Sequence, residues 1–496
     1  VTGAAVSADA NYNGVGVANV AVVNTDNDTY NTMVVDTVSD TADGDTASIG
    51  ALIANRGADG HISLREALLA ANATANGSGG PDRIVFNIAG AGAHTVFLSG
   101  ALPALSDAVL LDGSSQPGYA GAPLIELDGS GAGSSDGLVL GAGSDGSTLT
   151  GLAVNRFAGI GIEVASSGNT LSADYVGLRP DGSTAAGNGS DGIRIDNASG
   201  NTISHSVVSG NLGAGIALIG AAASGNSVVG SIVGLDATGA AAVGNGLDGI
   251  VLSAGAHHNT LGSTTSGQGN VLSGNTGSGI GLYTTHDNQI IGNLIGVDLG
   301  GTTALGNGQS GIAANQTVGE IVGGAAAGAG NTIAGNAQNG VTLVDASGTV
   351  VQGNRIGLDV SGTTLLGNAG AGVALSGSTS GSGAWPVLAS RLSPASGGVS
   401  NRYGYAQPRH SGHGGHAGAL ADRDERPVFH ARDAGDQGAR ALQHPAGGYV
   451  GGFSHDGPRR PRSCHRRQSC RELQAICGKV GAVFREGEVV RYRHRT

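Results

Sequence analysis

Apolar residues two positions apart, bracketed by glycine and asparagine, recur down most of this chain. Ile193 and Ile195, Ile216 and Leu218, Ile250 and Leu252, Ile280 and Leu282, and Val341 and Leu343 are such pairs, and in an extended strand the members of each pair share a face. Each pair follows a phrase of Gly-Asn, three residues, then Gly-Ile or Gly-Val, which opens at Gly187, Gly210, Gly244, Gly274, Gly306, Gly335 and Gly367. Those glycines are spaced by 23 to 34 residues, the length of a solenoid repeat in which one unit stacks on copies of itself. Aligning the strand-opening residues Leu138, Ile160, Ile193, Ile216, Ile250, Ile280, Ile312, Val341 and Val373 gives coils of 22 to 34 residues, enough for three short strands and three turns. In the coil from Ile193 the strands are expected near Ile193–Ile195, Thr202–Ser204 and Ser206–Val208.

The asparagines carry a second regularity. Asn188, Asn211, Asn245, Asn275, Asn307, Asn336 and Asn368 occupy one repeat position, and Asn169, Asn201, Asn226, Asn259 and Asn288 another. Each set is expected to stack as an amide ladder at a corner, where Asn tolerates left-handed geometry. A third phrase, Gly234-Leu235-Asp236, Gly296-Val297-Asp298 and Gly357-Leu358-Asp359, preceded by the degenerate Gly177-Leu178-Arg179, returns every 57 to 62 residues. The true period is therefore two coils, one with a longer turn.

Before the repeats, Met33 to Asp40 suits a strand and residues 41 to 60 read as a loop. Ser63-Leu64-Arg65-Glu66 is a capping box, in which the Ser63 hydroxyl accepts from the Glu66 amide and the Glu66 carboxylate accepts from the Ser63 amide. The helix it starts, about ten residues long, carries Leu64, Leu68 and Ala71 on one apolar stripe. Arg65 and Glu66 are assigned to a solvated face and the cap. Short apolar runs at 84–88, 95–98, 109–111 and 124–127, each closed by Gly or Pro, read as strands of the first coils.

These residues resemble a family. Ile62-Ser63-Leu64-Arg65-Glu66-Ala67 with Ala70-Ala71-Asn72, and Asp82-Arg83-Ile84-Val85-Phe86, are similar to the CSLREA domain that opens many bacterial parallel β-helix proteins. Leu111-Asp112-Gly113, Gln116-Pro117-Gly118-Tyr119 and Pro123 to Gly129 are similar to that family's first coils, while Ile62 stands where the family usually has cysteine. The resemblance covers roughly residues 33 to 384 and implies a right-handed helix and a secreted or surface location. The expected fold is all-β: a right-handed parallel β-helix with a short N-terminal capping helix and a disordered C-terminal tail. Residues 1–32 read as the end of a preceding β domain or a linker, 33–130 as the capping region and first coils, 131–384 as the repeats, and 385–496 as a basic tail.

Composition sharpens this division. Residues 1–384 hold 28 acidic groups, 7 Arg and no Lys, whereas 385–496 hold 17 Arg, one Lys, 9 acidic groups and all three cysteines. An acidic, lysine-free body is a poor partner for nucleic acid, and without cysteine it relies on stacking for stability. No stretch reaches the roughly 18 apolar residues of a membrane span. The chain begins at Val1, with no signal sequence in view, and is read as a fragment. Its tail, with Pro458-Arg459-Arg460-Pro461-Arg462, is either a partner-binding segment or an out-of-frame translation. Cys464, His465, Cys470 and Cys477 lack the paired spacing of a zinc site, and no cofactor or metal is expected. Asp26 and Asp28 are a candidate calcium pair within a linker.

Candidate chemistry gathers at one place on the strands. With Ile160 aligned to Ile193, Glu163 and Asp196 fall at equivalent outward positions on adjacent coils beside Arg194. A strand spacing of about 4.8 Å would bring the carboxylates near the separation of a retaining glycosidase pair. Other outward residues are small: Gly161, Ala217, Val251, Gly281, Ala313, Thr342 and Ala374. Asp236, Asp298 and Asp359 are assigned to turn stabilisation, and His257 and His258 to a loop. The expected role is structural or adhesive, with a surface glycan as partner. The alternative is a polysaccharide hydrolase, lyase or epimerase using Glu163, Asp196 and Arg194.

Overall fold

The computed structural model describes residues 31–377 and, as strands, 387–392 and 399–402. Asp26, Asp28, the cysteine cluster and most of the basic tail lie outside the described residues. Every strand pairs in parallel with its counterpart one coil away, and the described strands form three columns. The first is a ten-stranded sheet from Leu138–Leu140 through Ile193–Asp196 and Ile280–Tyr283 to Val399–Arg402. The second starts where Thr32–Val35 pairs with Asp82–Phe86 and passes through Thr202–Ser204; the third starts at His94–Phe97 and passes through Val207–Val208. One coil thus runs Ile193–Asp196, Thr202–Ser204, Val207–Val208 and back to Ile216–Ile219 in the first column. With the right-handed crossover that twisted strands favour, this is a right-handed parallel β-helix.

Alternation accounts for the core. Ile193, Ile195, Ile250, Leu252, Ile280 and Leu282 are fully buried, each contributing roughly 1.5–3 kcal/mol relative to exposure. The first-column register is Leu138, Ile162, Ile193, Ile216 and onward, so Ile162 and not Ile160 opens its strand. Gly159-Ile160-Gly161-Ile162 offers the Gly-Ile signal twice. The turn claims the first copy, because the Ile160 amide donates to Asp136 Oδ1 at 2.6 Å.

Both asparagine ladders form, with side-chain amides donating at 2.9–3.1 Å from Asn188 through Asn211, Asn245, Asn275, Asn307 and Asn336 to Asn368. The same oxygens accept the backbone amides of the preceding coil. No ladder asparagine has positive φ, so left-handed tolerance is not what selects them. The preceding glycines carry the geometry instead. Gly210, Gly274 and Gly335 have φ of 77°, 72° and 73°; at Gly187, Gly244 and Gly306 a Cβ would overlap the carbonyl oxygen of the next coil. A third ladder, Asn270, Asn293, Asn331 and Asn354, was legible in its own Gly-Asn dipeptides but lacks the following Gly-Ile. In earlier coils this corner is held by Asp174, Ser206 and Ser231.

At the N-terminus, helix α2 spans Leu64–Ala73 with the capping box in place. Its stripe packs on Thr32–Val35 and Asp82–Phe86, with Leu64, Leu68 and Ala71 fully buried. A shorter helix α1, Ile49–Ala54, occupies part of the stretch read as a loop, capped by Ser48 and burying Ile49 and Leu52. The solvated-face reading of Arg65 and Glu66 is corrected. Glu66 is 1% exposed and also accepts from the amides of Asp43 and Gly44. Arg65 forms a two-point pair with Asp40 at 2.9 and 2.8 Å. At the other end, Val387–Leu392 and Val399–Arg402 extend the columns past Leu375, where the repeat phrases stop, so the first residues of the segment expected to be a disordered tail instead pair in parallel with the last coils.

Candidate functional site

The outer face of the first column gathers the chemistry. In its register Glu163 lies directly opposite Arg194, with Ala217, Val251, Gly281, Ala313, Thr342 and Ala374 following. Asp196 aligns two residues further along, on the diagonal from Glu163, where Cα atoms are about 7–8 Å apart. The expected Glu163–Asp196 equivalence is therefore replaced by a Glu163–Arg194 cross-strand pair, and Gly161 belongs to the turn.

Each member has further partners. Arg194 donates from Nε and Nη2 to Asp191 Oδ2 at 2.9 and 2.6 Å. Asp191 Oδ1 accepts from the Ala214 amide, and Asp196 accepts from the Asn197 side chain at 2.8 Å. Burial pushes the Glu163 carboxyl above the ordinary range, reinforced by Asp136, opposed by Arg194 and reinforced again by Asp196. A half-buried acid beside an arginine already engaged elsewhere keeps its proton to a higher pH than a free carboxyl does.

Residues that repetition along the chain does not mark frame this face. Asp136, Asp191, Asp248 and Asn339 stand two positions before their strands, each accepting the backbone amide of the next coil at 2.6–2.8 Å. An Asp-Gly or Asn-Gly dipeptide immediately before the strand marks each one. The second side-chain atom then reaches over the sheet: to Arg194 from Asp191, to the Tyr283 hydroxyl from Asp248 at 3.0 Å, and to Thr342 from Asn339 at 2.9 Å.

Tyr283 is the aromatic group on this face among the described strands. A Cβ at Gly281 would lie 2.6 Å from Tyr283 Cε2 and 2.9 Å from its hydroxyl, so glycine leaves the room in which the ring lies down on the sheet. Ser253 and Asn315 flank Tyr283 on the neighbouring strands. Burial raises the Asp248 carboxyl; burial and then the Asp248 charge hold the Tyr283 phenol well above its usual range. The pair is a positioned hydrogen bond, with the phenol kept protonated.

The other sequence candidates separate from this face. Asp236, Asp298 and Asp359 each accept two backbone amides within their own long turn, which holds those turns closed. Arg179, in the degenerate copy, lies 3.8 Å from the buried Glu126 instead. His257 and His258 lie outside the strands, and His257 stacks on His286 with centroids 4.6 Å apart. Among the described residues no group of three or more His, Cys, Asp or Glu has metal-holding geometry, and no helix is long and apolar enough to cross a membrane.

No family model and no curated protein matches the sequence. Solved structures do. The A-module of an Azotobacter vinelandii mannuronan C-5 epimerase is 17% identical, with TM-score 0.40 over 63% of this chain and 91% of its own. The Dettilon tailspike protein is 18% identical, with TM-score 0.36 over 63% and 55%. Pectate lyase Pel9A is 14% identical, with TM-score 0.26 over 75% and 79%. The likeness is one of coil architecture.

Proposed function

We propose that this chain is a structural, adhesive module of a secreted or cell-surface bacterial protein, and that it holds a glycan along the outer face of the first strand column. The secreted setting rests on the resemblance of its N-terminal region to the CSLREA domain. The observation that carries the glycan reading is Tyr283 laid over Gly281 and tied to Asp248. An aromatic face with polar neighbours on a flat strip of Val251, Gly281 and Ala313 suits the apolar face and hydroxyl rim of a sugar ring. Screening the full chain against immobilised bacterial and plant polysaccharides tests this. Binding that Tyr283→Ala reduces at least tenfold supports the reading; absence of binding, or indifference to Tyr283, rejects it.

The second reading is a polysaccharide-active enzyme using Glu163, Asp196 and Arg194. It is favoured by the raised Glu163 carboxyl, since perturbed acids gather at catalytic sites. Against it stand the diagonal placement of Asp196 and the engagement of Arg194 by Asp191. Release of reducing or unsaturated ends from any bound polysaccharide, abolished by Glu163→Gln, would establish it.

A further inference from the structure

A second polar recess lies away from the first-column face. Where the second column turns into the third, most coils use a tight corner, as at Ile291-Gly292-Asn293-Leu294. From Thr148 onward two coils instead carry a longer loop, 263–269 and 324–330, and these stack, with Gly328 packed against the carbonyl of Thr264. Beneath the second loop the next coil turns tightly through Gln352, Gly353, Asn354 and Arg355, within the strand Val350–Ile356. The mismatch between a wide loop and a narrow corner leaves a cleft of about 390 Å³, lined by Gly324, Ala326, Gly328, Gln352, Gly353 and Arg355. That volume lies within the range of small-ligand sites.

The polar side chains of the cleft are unlike each other in a useful way. Arg355 brings a planar fork of donors and Gln352 both a donor and an acceptor. Among the described residues Arg56, Arg65, Arg156, Arg179 and Arg194 each lie within 4 Å of a carboxylate; Arg355 has no such partner there. In a body with 28 acidic groups against 7 arginines, a guanidinium that faces a recess instead of an acid is placed for an anion from outside. The lining of glycine and alanine lets a ring approach the backbone closely.

We infer that this cleft binds the carboxylate of an acidic sugar residue, with Arg355 gripping the planar carboxylate at two points and Gln352 taking a ring hydroxyl. The choice of a sugar rests on the glycan reading above; the carboxylate rests on the cleft alone.

Calorimetric titration of the full chain with trigalacturonate, maltotriose and inorganic phosphate tests both halves. The inference expects trigalacturonate to bind, weakening as sodium chloride is raised, and Arg355→Gln to lower its affinity at least tenfold with an unchanged melting midpoint. Arg355→Lys should recover only part, because an ammonium lacks the fork. Tyr283→Ala should leave trigalacturonate binding at this cleft intact, which separates failure of the face from failure of the cleft. Equal affinity for maltotriose, equal affinity for phosphate, or indifference to Arg355→Gln would each overturn the inference.

Discussion

Two buried acids sit in the corner columns of this solenoid, and they are treated very differently. Glu320 takes the place of an asparagine at the foot of the second ladder. Its two oxygens accept from the Thr285 hydroxyl and from the backbone and side-chain amides of Asn288, at 2.6, 2.8 and 3.2 Å. Asp174 precedes the serines and asparagines of the third corner. One oxygen accepts from the Leu152 amide at 2.9 Å, while Oδ2 is buried without a partner. Burial pushes the Asp174 carboxyl up to about 7. Each corner must accept from the coil before it and, where the stack continues, donate to the coil after it. An amide does both; a carboxylate fits only where nothing but acceptance is asked.

The comparison can be broken most severely within the unbroken ladder. Asn245→Leu strands the backbone amide of Asn211 and removes one hydrogen bond each from the Asn211 side-chain amide, the Val208 carbonyl and Asn275 Oδ1, which keep other partners. At about 1–3 kcal/mol for the orphaned amide and about 0.5–1.5 kcal/mol for each further bond lost, a loss of several kcal/mol is expected, read as a lower midpoint in urea. A change within experimental error would mean the ladder only decorates the corner.

Glu320→Gln sharpens the contrast. It replaces one of two fully used acceptor oxygens by a donor, so the variant should lose roughly 1–2 kcal/mol at pH 8 in the same urea titration. If it gained stability instead, both buried acids would be misfits of one kind.

A smaller effect is expected in the long turns. Hydrogen bonds from the Ser361 hydroxyl and then from neighbouring amides hold the Asp359 carboxyl well below its usual range, and Asp181 is held at about 2, by the Thr184 side chain first. Such acids favour the fold above the unfolded pKa of about 4 and lose that contribution as pH falls through the folded value. Asp181→Asn should therefore cost little, with the full cost only above about pH 4. The expected outcome is a small lowering of the thermal midpoint at pH 7 that vanishes near pH 2. The smallest effect on stability is expected on the face: Gly281→Ala should displace the Tyr283 ring, lowering polysaccharide binding while the melting midpoint scarcely moves.

These contrasts show what was legible in the sequence. Coils, inward columns and two ladders follow from repetition, because a stacked unit must present the same residue at the same place. The helix at Leu64 follows from a local capping box. Register at Glu163 did not follow, since Gly-Ile occurs twice within four residues and only the contact between Asp136 and Ile160 decides between them. The Tyr283 platform was hidden for the opposite reason: it depends on a glycine and an aspartate, common residues here, meeting one tyrosine across coils. Arg65 and Glu66 looked solvent-facing because their partners, Asp40, Asp43 and Gly44, come from a preceding segment with no periodic signature.

The central claim, that a buried corner needs a group able to donate as well as accept, is tested most directly at Asp174. In the folded chain this carboxyl binds its proton up to about pH 7, but in the unfolded chain only up to about pH 4. The folded state therefore holds more protons between those values, and stability falls as pH rises through that window. Asp174→Asn removes the titration. Unfolding free energy should be measured for both proteins from pH 3 to pH 8. The account predicts near-equal stability at pH 3, and an advantage for the variant that grows to roughly 4 kcal/mol by pH 8. A difference between the two curves that stays constant with pH, or an advantage for the native aspartate at pH 8, would contradict it.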